Sequence, residues 1–494
     1  MKYLIGIDVG TSGTKSILID PDGHLIASAT AEYPLSQPQN GWAEQDPEDW
    51  WEAVCATLHQ ITETISPEDI AGIGLSGQMH SVVLLDADDR VIRPAILWCD
   101  QRTSAECEQI EAVFGRERLM SVTGNPALPG FTASKLRWIQ NHEPENYAKC
   151  RHILLAKDYI RFKLTGEYAT EVSDASGMQL LDVPNRRWSE ELCQALGIGM
   201  ALLPKVYESV EVTGYVTEAA ASRIGLIPGI PVAGGAGDNA AAAVGTGVYA
   251  PGEAFTSIGT SGVVFAPTDR PVIDPVGRVH TFCAAAPGTW HVMGVTQAAG
   301  LSLNWFRGNL APDISYRQLD RECEKLPVGS DRLLYLPYLM GERTPILDSQ
   351  ARGVFFGLSA MHTRGHMARS VMEGVSYSLY SCLEVLGELG ISLSNMVLCG
   401  GGSKSGFWKQ MICDIYGMPV NTVLGEGAAL GAAILAGCGA GVYTDVAEGC
   451  SRTVTFSDPV CPDGENHGAY QAYYKEYQKL YPALKDAMRS LSML

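Results

Sequence analysis

The chain has 494 residues, too many for one hydrophobic core, so two or three domains are expected. A hydrophobic content of 46% with 18% charged residues reads as an ordinary globular protein, with no run of about 20 apolar residues to span a bilayer. The formal net charge of −19 and the lack of a long Lys/Arg tract exclude nucleic acid and anionic membrane as natural partners. A polyanionic ligand would have to be held by local N–H groups and a cation.

The N-terminal apolar stretch Tyr3–Ile7 is cut off by Asp8, well short of a secretory core. The 13 cysteines are scattered with no CxxC pair, which disfavours zinc or a disulfide framework and fits a reducing cytoplasm. Residues 3–9 and 15–20 read as strands joined by Gly10-Thr11-Ser12-Gly13-Thr14, and a Pro-Asp-Gly turn leads to a third strand. Asp46-Pro47 is a plausible helix start. "IAGIGLSGQMHSVV" then reads strand, loop, strand, and further strands and helices follow.

"PVAGGAGDNAAAAVGTGV" reads as a strand, a tight glycine turn and an Ala-rich helix, with a domain boundary just after it. The expected halves are 1–247 and 248–494. The second half opens like the first: strand, Gly259-Thr260-Ser261-Gly262, strand, Pro-containing turn. Helical spacing follows at Met367, Val371, Val375 and Leu379, then a strand, Gly400-Gly401-Gly402 and a helix, a small-residue helix over 425–437, and a last helix over about 467–490.

The repeated strand–turn–strand points to duplicated architecture. A Gly/Ser/Thr turn offers several N–H groups and hydroxyls in a small concavity, a cradle for phosphate. Gly13 and Gly262 are expected to supply positive φ and open space for phosphate oxygens. Asp8 precedes the first cradle, and an acid beside phosphates implies a cation such as Mg²⁺ between them; a loop-capping Asp is the plainer alternative. Lys15 follows Thr14 rather than a glycine, which disfavours a P-loop.

Asp238, cleared by Gly234, Gly235 and Gly237 at a strand-to-helix turn, suits a base that accepts a hydroxyl proton. The helix dipole is expected to keep it ionised, with Asn239 capping the helix. The same stretch, Gly235 to Ala240, fits G-x-G-x-x-A, so a dinucleotide-dependent oxidoreductase stands as a second class. Gln78, Met79 and His80 follow Ser76-Gly77 at a strand end as a candidate substrate loop. "WCDQR" (98–102) is a similar cluster, and "GERTPILD" (341–348) is either a surface loop or a second polar wall. Three consecutive glycines at 400–402 exceed what a turn needs and let a flat ring approach the backbone.

Taken together, "GIDVGTSGTKSILID", "GDNAAAAVGTG", "SIGTSG" and "LCGGGSKSGFWKQMICDI" resemble the FGGY carbohydrate kinases over nearly the whole chain. The resemblance implies an α/β fold of two ribonuclease-H-like domains around an ATP cleft, as in actin-like ATPases. It implies ATP and Mg²⁺. It makes Asp238 the general base, helped by Asn239 at the substrate, and Asp8 the Mg²⁺-associated acid. Thr11, Ser12, Gly13, Thr14, Lys15, Gly259 and Thr260 become the phosphate turns, and Gly400, Gly401 and Gly402 the adenosine loop. Ser405 stands where other members have Asn. Gln78, Met79 and His80 become sugar contacts. "SGQMH", "RPAILWCDQR" and "LPYLMGERTP" are similar to ketopentose-acting members, which implies D-xylulose as acceptor, with ribulose, xylitol or a related polyol as alternatives. Family members often form dimers, so a homodimer is an option.

Overall fold

The computed structural model describes residues 2–63, 65–425 and 427–493. Glu426, in the small-residue helix motif, lies outside the described residues. Among those described, two large mixed sheets organise the chain.

The first sheet begins as a meander of β1 (Tyr3–Val9), β2 (Gly13–Ile19) and β3 (Leu25–Glu32), all antiparallel. β4 (Ile70–Gly77) then joins the other side of β1 in parallel. It is followed outward by β5 (Pro231–Ala233), also parallel. The short β6 (Ala236–Gly237) pairs the end of β4 and runs straight into α1 (Asp238–Gly245). The second sheet repeats this plan. β7 (Glu253–Ile258) and β8 (Gly262–Thr268) form a hairpin, and β9 (Trp290–Thr296) extends it antiparallel. β10 (Asn395–Cys399) lies parallel on the other side of β7. Each half is therefore a meander with parallel strands added beside its first strand, and the predicted duplication is present.

The predicted helix starting at Pro47 runs over Pro47–Thr62, with Asp46 as N-cap accepting from Glu48 N. It covers one face of the first sheet through Trp50, Val54 and Leu58, against Val9, Ile7 and Leu18. The second sheet is covered by the helix Arg364–Glu388, which buries Val371, Val375 and Leu379. The last helix spans Gly464–Ser492 and packs Tyr470, Tyr474 and Tyr477 into the same core.

The other face of the first sheet is covered by two small-residue helices: α1, and α2 (Gly427–Gly439), which returns from the second half of the chain. Here backbones touch. A Cβ on Gly6 would sit 1.9 Å from the Ala429 carbonyl oxygen, and one on Gly74 1.9 Å from that of Ala432. Between the helices, a Cβ on Gly431 would meet the Ala241 oxygen at 1.8 Å, and one on Gly245 the Gly427 oxygen at 1.9 Å. No side chain fits at any of the four.

Gly6→Ala should therefore destabilise the protein by about 3 kcal/mol or more, because backbone cannot relax around the new methyl as a side chain would. Gly308→Ala, at a helical position open to solvent, should be neutral or stabilise by up to about 1 kcal/mol. Urea midpoints of the two variants check both.

Candidate active site

β1, β4 and β6 end side by side, with Asp8 opposite Ser76 and Ala236 opposite the same serine. Asp8 and Asp238 thus emerge two strands apart, roughly 10 Å between backbones at ordinary strand spacing. The turn before Asp238 forms because Gly235 adopts φ +68°, pressed so close to β4 that a Cβ would meet the Leu75 oxygen at 1.9 Å. That contact explains Gly235, and Met79, 2.8 Å from where a Cβ on Gly237 would sit, explains the second glycine of the G-x-G-x-x-A match, without a dinucleotide.

Asp238 is half-buried, and its Oδ1 accepts from the Asn239 N–H at 2.7 Å and the Asn239 side-chain amide at 2.9 Å. Shielding from water, together with the nearby negative charge of Asp8, lifts its carboxyl to about 7. The expectation that the helix dipole keeps it fully ionised is corrected by these two effects. Asn239 does not cap the helix either; the N-cap is Gly237 and Asn239 is spent on Asp238. Burial also raises Asp8, against the pull of Ser76 and Lys15. Its Oδ1 is buried with no hydrogen-bond partner. Such an oxygen fits a cation. Among the described residues no group of three or more His, Cys, Asp or Glu could hold a metal alone. A cation at Asp8 would need oxygen ligands beyond these side chains.

The first turn closes with Gly10 N donating to Gly13 O at 3.1 Å and leaves Thr11 and Ser12 outward. The structure corrects the role of Thr14. Opposite Val9 in register, it points into the core under the helix Pro47–Thr62 and is fully buried, while Lys15 shares Asp8's face. Gly13 and Gly262 do not adopt positive φ. They are required by packing: a Cβ on Gly13 would lie 2.7 Å from Ala31 O, and one on Gly262 2.6 Å from Thr296 Oγ1.

Gln78 is likewise turned inward, 2% exposed, with its amide on Gln45 Oε1 at 3.0 Å and its oxygen accepting from Ser81. It ties the substrate loop to the framework of the first turn, since Gln45 also donates to Thr11 O at 2.8 Å. Met79 packs on the Asp238 turn, filling the space a Gly237 side chain would take. His80 is held at φ +69°. Its Nδ1–H donates to Gly177 O at 2.8 Å, and burial drives its pKa down to about 3. The ring is neutral at physiological pH, with Nε2 left as an acceptor.

Lys135, missed in the sequence, sets this loop. It is fully buried and donates to His80 O at 2.8 Å and Gly130 O at 2.7 Å, with its pKa pulled by burial to about 7. Nothing in the motif "GFTASKL" marks this lysine over any surface one. Trp98 of "WCDQR" is 42% exposed and donates its indole N–H to Thr11 Oγ1 at 2.9 Å, forming a wall beside the first turn. Asp100 and Arg102 of the same string are structural, paired to each other at 2.7 Å, with Arg102 stacked on Trp42. In "GERTP", Glu342 is buried and accepts from Gln297 N and Arg343 N, and the Arg343 charge helps depress His80 and His280. The loop is a polar wall, not a surface loop.

The second turn opens onto a cavity of about 710 Å³ lined by Gly259, Thr260, Gly401, Gly402 and Ser405, with Asn304, Tyr316 and Asp320 on the far side. Gly400 takes φ +81° and Gly402 lies against Ile258, so the glycine run lets this loop press on β7. Ser405 is the N-cap of the next helix, its Oγ accepting from Trp408 N at 3.0 Å. Tyr316 donates to Asn304 Oδ1 at 2.6 Å. These far-side residues come from helices with no motif of their own.

Two domains of one plan, a carboxylate at a strand-to-helix turn, and a large cavity beside a Gly/Ser/Thr turn define a phosphotransferase of the actin-like α/β type. Models of the FGGY carbohydrate kinases match residues 3–245 (N-terminal domain) and 254–440 (C-terminal domain), and the chain belongs to that family. It is 40% identical over 494 residues to the xylulose kinase of Bacillus subtilis (strain 168), covering 99% of each chain. It superposes on the crystal structure of a "xyloylose kinase" from Brucella ovis with TM-score 0.93 at 39% identity, covering 98% of this chain and 100% of that one. It also superposes on a gluconate kinase from Lactobacillus acidophilus with TM-score 0.94 at 29% identity, covering 99% of both.

Lys135→Met should raise KM for the carbohydrate about tenfold or more, since two charge-assisted bonds that shape the loop are lost. KM for the nucleotide should stay within about twofold. Steady-state kinetics with each substrate varied in turn separates the two.

Proposed function

We propose that this protein transfers the γ-phosphoryl group of ATP to the terminal hydroxyl of D-xylulose, giving D-xylulose 5-phosphate. The observation that carries the reading is Asp238: a carboxylate poised near neutrality, at a glycine-cleared turn between the His80 loop and Asp8. Asp238 accepts the hydroxyl proton as the sugar oxygen attacks the γ-phosphorus in line, and its value near 7 suits a base at physiological pH. Asn239 holds the carboxylate oriented. His80 Nε2 accepts from a sugar hydroxyl, Met79 gives an adaptable apolar wall, and Trp98 closes the pocket side.

The two turns, around Thr11–Gly13 and Gly259–Thr260, hold the polyphosphate between the halves 1–247 and 248–494. The cavity at Gly401, Gly402, Asn304 and Asp320 takes the adenosine. Asp8 would hold Mg²⁺ jointly with the phosphates, where the ion supplies charge neutralisation. The likeness to xylulose kinases across nearly the full length supports the substrate. The gluconate kinase of nearly identical fold shows that the fold alone does not choose it, so the acceptor must be tested by competition.

On a panel of D-xylulose, D-ribulose, L-ribulose, xylitol, glycerol and gluconate, a coupled ADP-release assay should give the highest kcat/KM with D-xylulose. Glycerol should be poor, because it leaves the polar groups of the pocket unpaired. A preference for gluconate or a polyol would move the assignment within the family.

The pH profile adds a second check. Asp238 sits above its ordinary value, so its working, ionised form is lost as pH falls through about 7. kcat/KM should decline on the acid side near that pH and level off above it. Asp238→Asn should lower kcat by roughly 10²–10⁴-fold and remove the limb.

A further inference from the structure

We propose that Ser173, held by a buried ionic knot, is a positioning residue for Asp238; the proposal rests on Asp238 being the base. Behind the Asp238 turn lie five charged side chains with no exposed surface: Lys157, Asp158, Arg161, Glu171 and Asp174. Lys157 Nζ reaches Asp158 at 2.8 Å and both Glu171 and Asp174 at 3.2 Å. Arg161 pairs with Asp158 at 2.6 Å. Burial holds the Asp174 carboxyl well above the usual range, against the pull of Lys157.

Burying such a group costs more desolvation energy than its attraction reliably returns. The knot therefore needs a reason other than stability, and its outward bonds supply one. Three routes among them converge on residues 234–237. Arg161 donates to the Gly234 carbonyl. Gly235 N donates to Ser209 O at 2.9 Å, and Ser209 Oγ donates to Glu171 at 3.0 Å. Gly237 N, one residue before Asp238, donates to Ser173 Oγ at 3.1 Å.

The direction of this last bond is fixed by chemistry. A serine hydroxyl has one proton, and an ionised carboxylate only accepts. Ser173 Oγ lies 3.0 Å from Glu171 Oε1, so its proton goes there and a lone pair is left for Gly237 N–H. Glu171 also accepts from Ser173 N at 2.6 Å and Asp174 N at 2.9 Å, which caps the short helix Val172–Ser176. That helix ends at Gly177, whose carbonyl takes the His80 N–H. One five-residue helix, anchored on Glu171, thus holds the base turn at one end and the sugar loop at the other.

Ser173→Ala keeps the fold's apolar packing and removes the acceptor of Gly237 N–H together with the hydroxyl that donates to Glu171 Oε1. With the base released by a fraction of an ångström, kcat should fall roughly 10- to 100-fold. The Kd for an ATP analogue should stay within about twofold, because no phosphate or adenosine contact is touched. Ser173→Thr, which retains the hydroxyl, should recover kcat to at least about tenfold above the alanine variant, by the same positioning logic. Measurement of kcat, Kd by calorimetry and thermal midpoint on both variants, with Asp238→Ala in parallel, decides it. A Ser173→Ala enzyme with near-wild-type kcat beside an inactive Asp238→Ala would overturn this proposal alone. So would a threonine variant no better than alanine. An active Asp238→Ala would bring down the base reading beneath it.

Discussion

The fold hangs on backbone-to-backbone contact between α2 and the first sheet. Helix Gly427–Gly439, from the second half of the chain, lies on β1 and β4 at Gly6 and Gly74 and on α1 at Gly245 and Gly431, with distances that admit no Cβ. Dispersion and carbonyl contacts at this range demand near-exact surface matching, as in any close-packed interior. The consequence is positional. β1 carries Asp8 and α1 begins at Asp238, so the same contact that joins the halves fixes the two carboxylates relative to each other.

Electrostatics then decides what each carboxylate does. The chain carries a net charge of −19, so its overall field does not draw in a polyphosphate. In the proposed reading, turn N–H groups, hydroxyls and a shared cation hold the phosphates locally. Asp8, buried with an oxygen lacking a partner, is costly without a cation and so suits one. Asp238, held by Asn239 and lifted by Asp8, sits near 7 and suits a proton. Two identical functional groups acquire different tasks from their surroundings, a pattern common to acid–base sites.

Much of this was legible in the sequence. The two GTSG turns announced the duplicated sheets, the glycines around Asp238 marked its turn, and the glycine run at 400–402 marked the cavity loop. What failed did so for physical reasons. Thr14 and Gln78 were placed at the site by proximity in sequence, but strand register turns Thr14 onto Val9's face and hydrogen bonding turns Gln78 toward Gln45. Gly13 and Gly262 suggest conformational freedom in the sequence, whereas neighbouring strands and side chains require them to be small. Lys135 and Ser173 were invisible, since each acts through a carbonyl or an N–H from a distant stretch of chain. The lining of the cavity by Asn304, Tyr316 and Asp320 belongs to the same class: tertiary proximity with no local pattern.

The central claim, that Asp238 takes the proton of the sugar's terminal hydroxyl, is tested most directly by a crystal structure with D-xylulose, Mg²⁺ and a non-hydrolysable ATP analogue. The account predicts the C5 hydroxyl oxygen within hydrogen-bond reach of the Asp238 carboxylate, about 2.6–3.2 Å, and in line with the γ-phosphorus. A C5 hydroxyl directed away from Asp238 while the γ-phosphate occupies the cleft would contradict it.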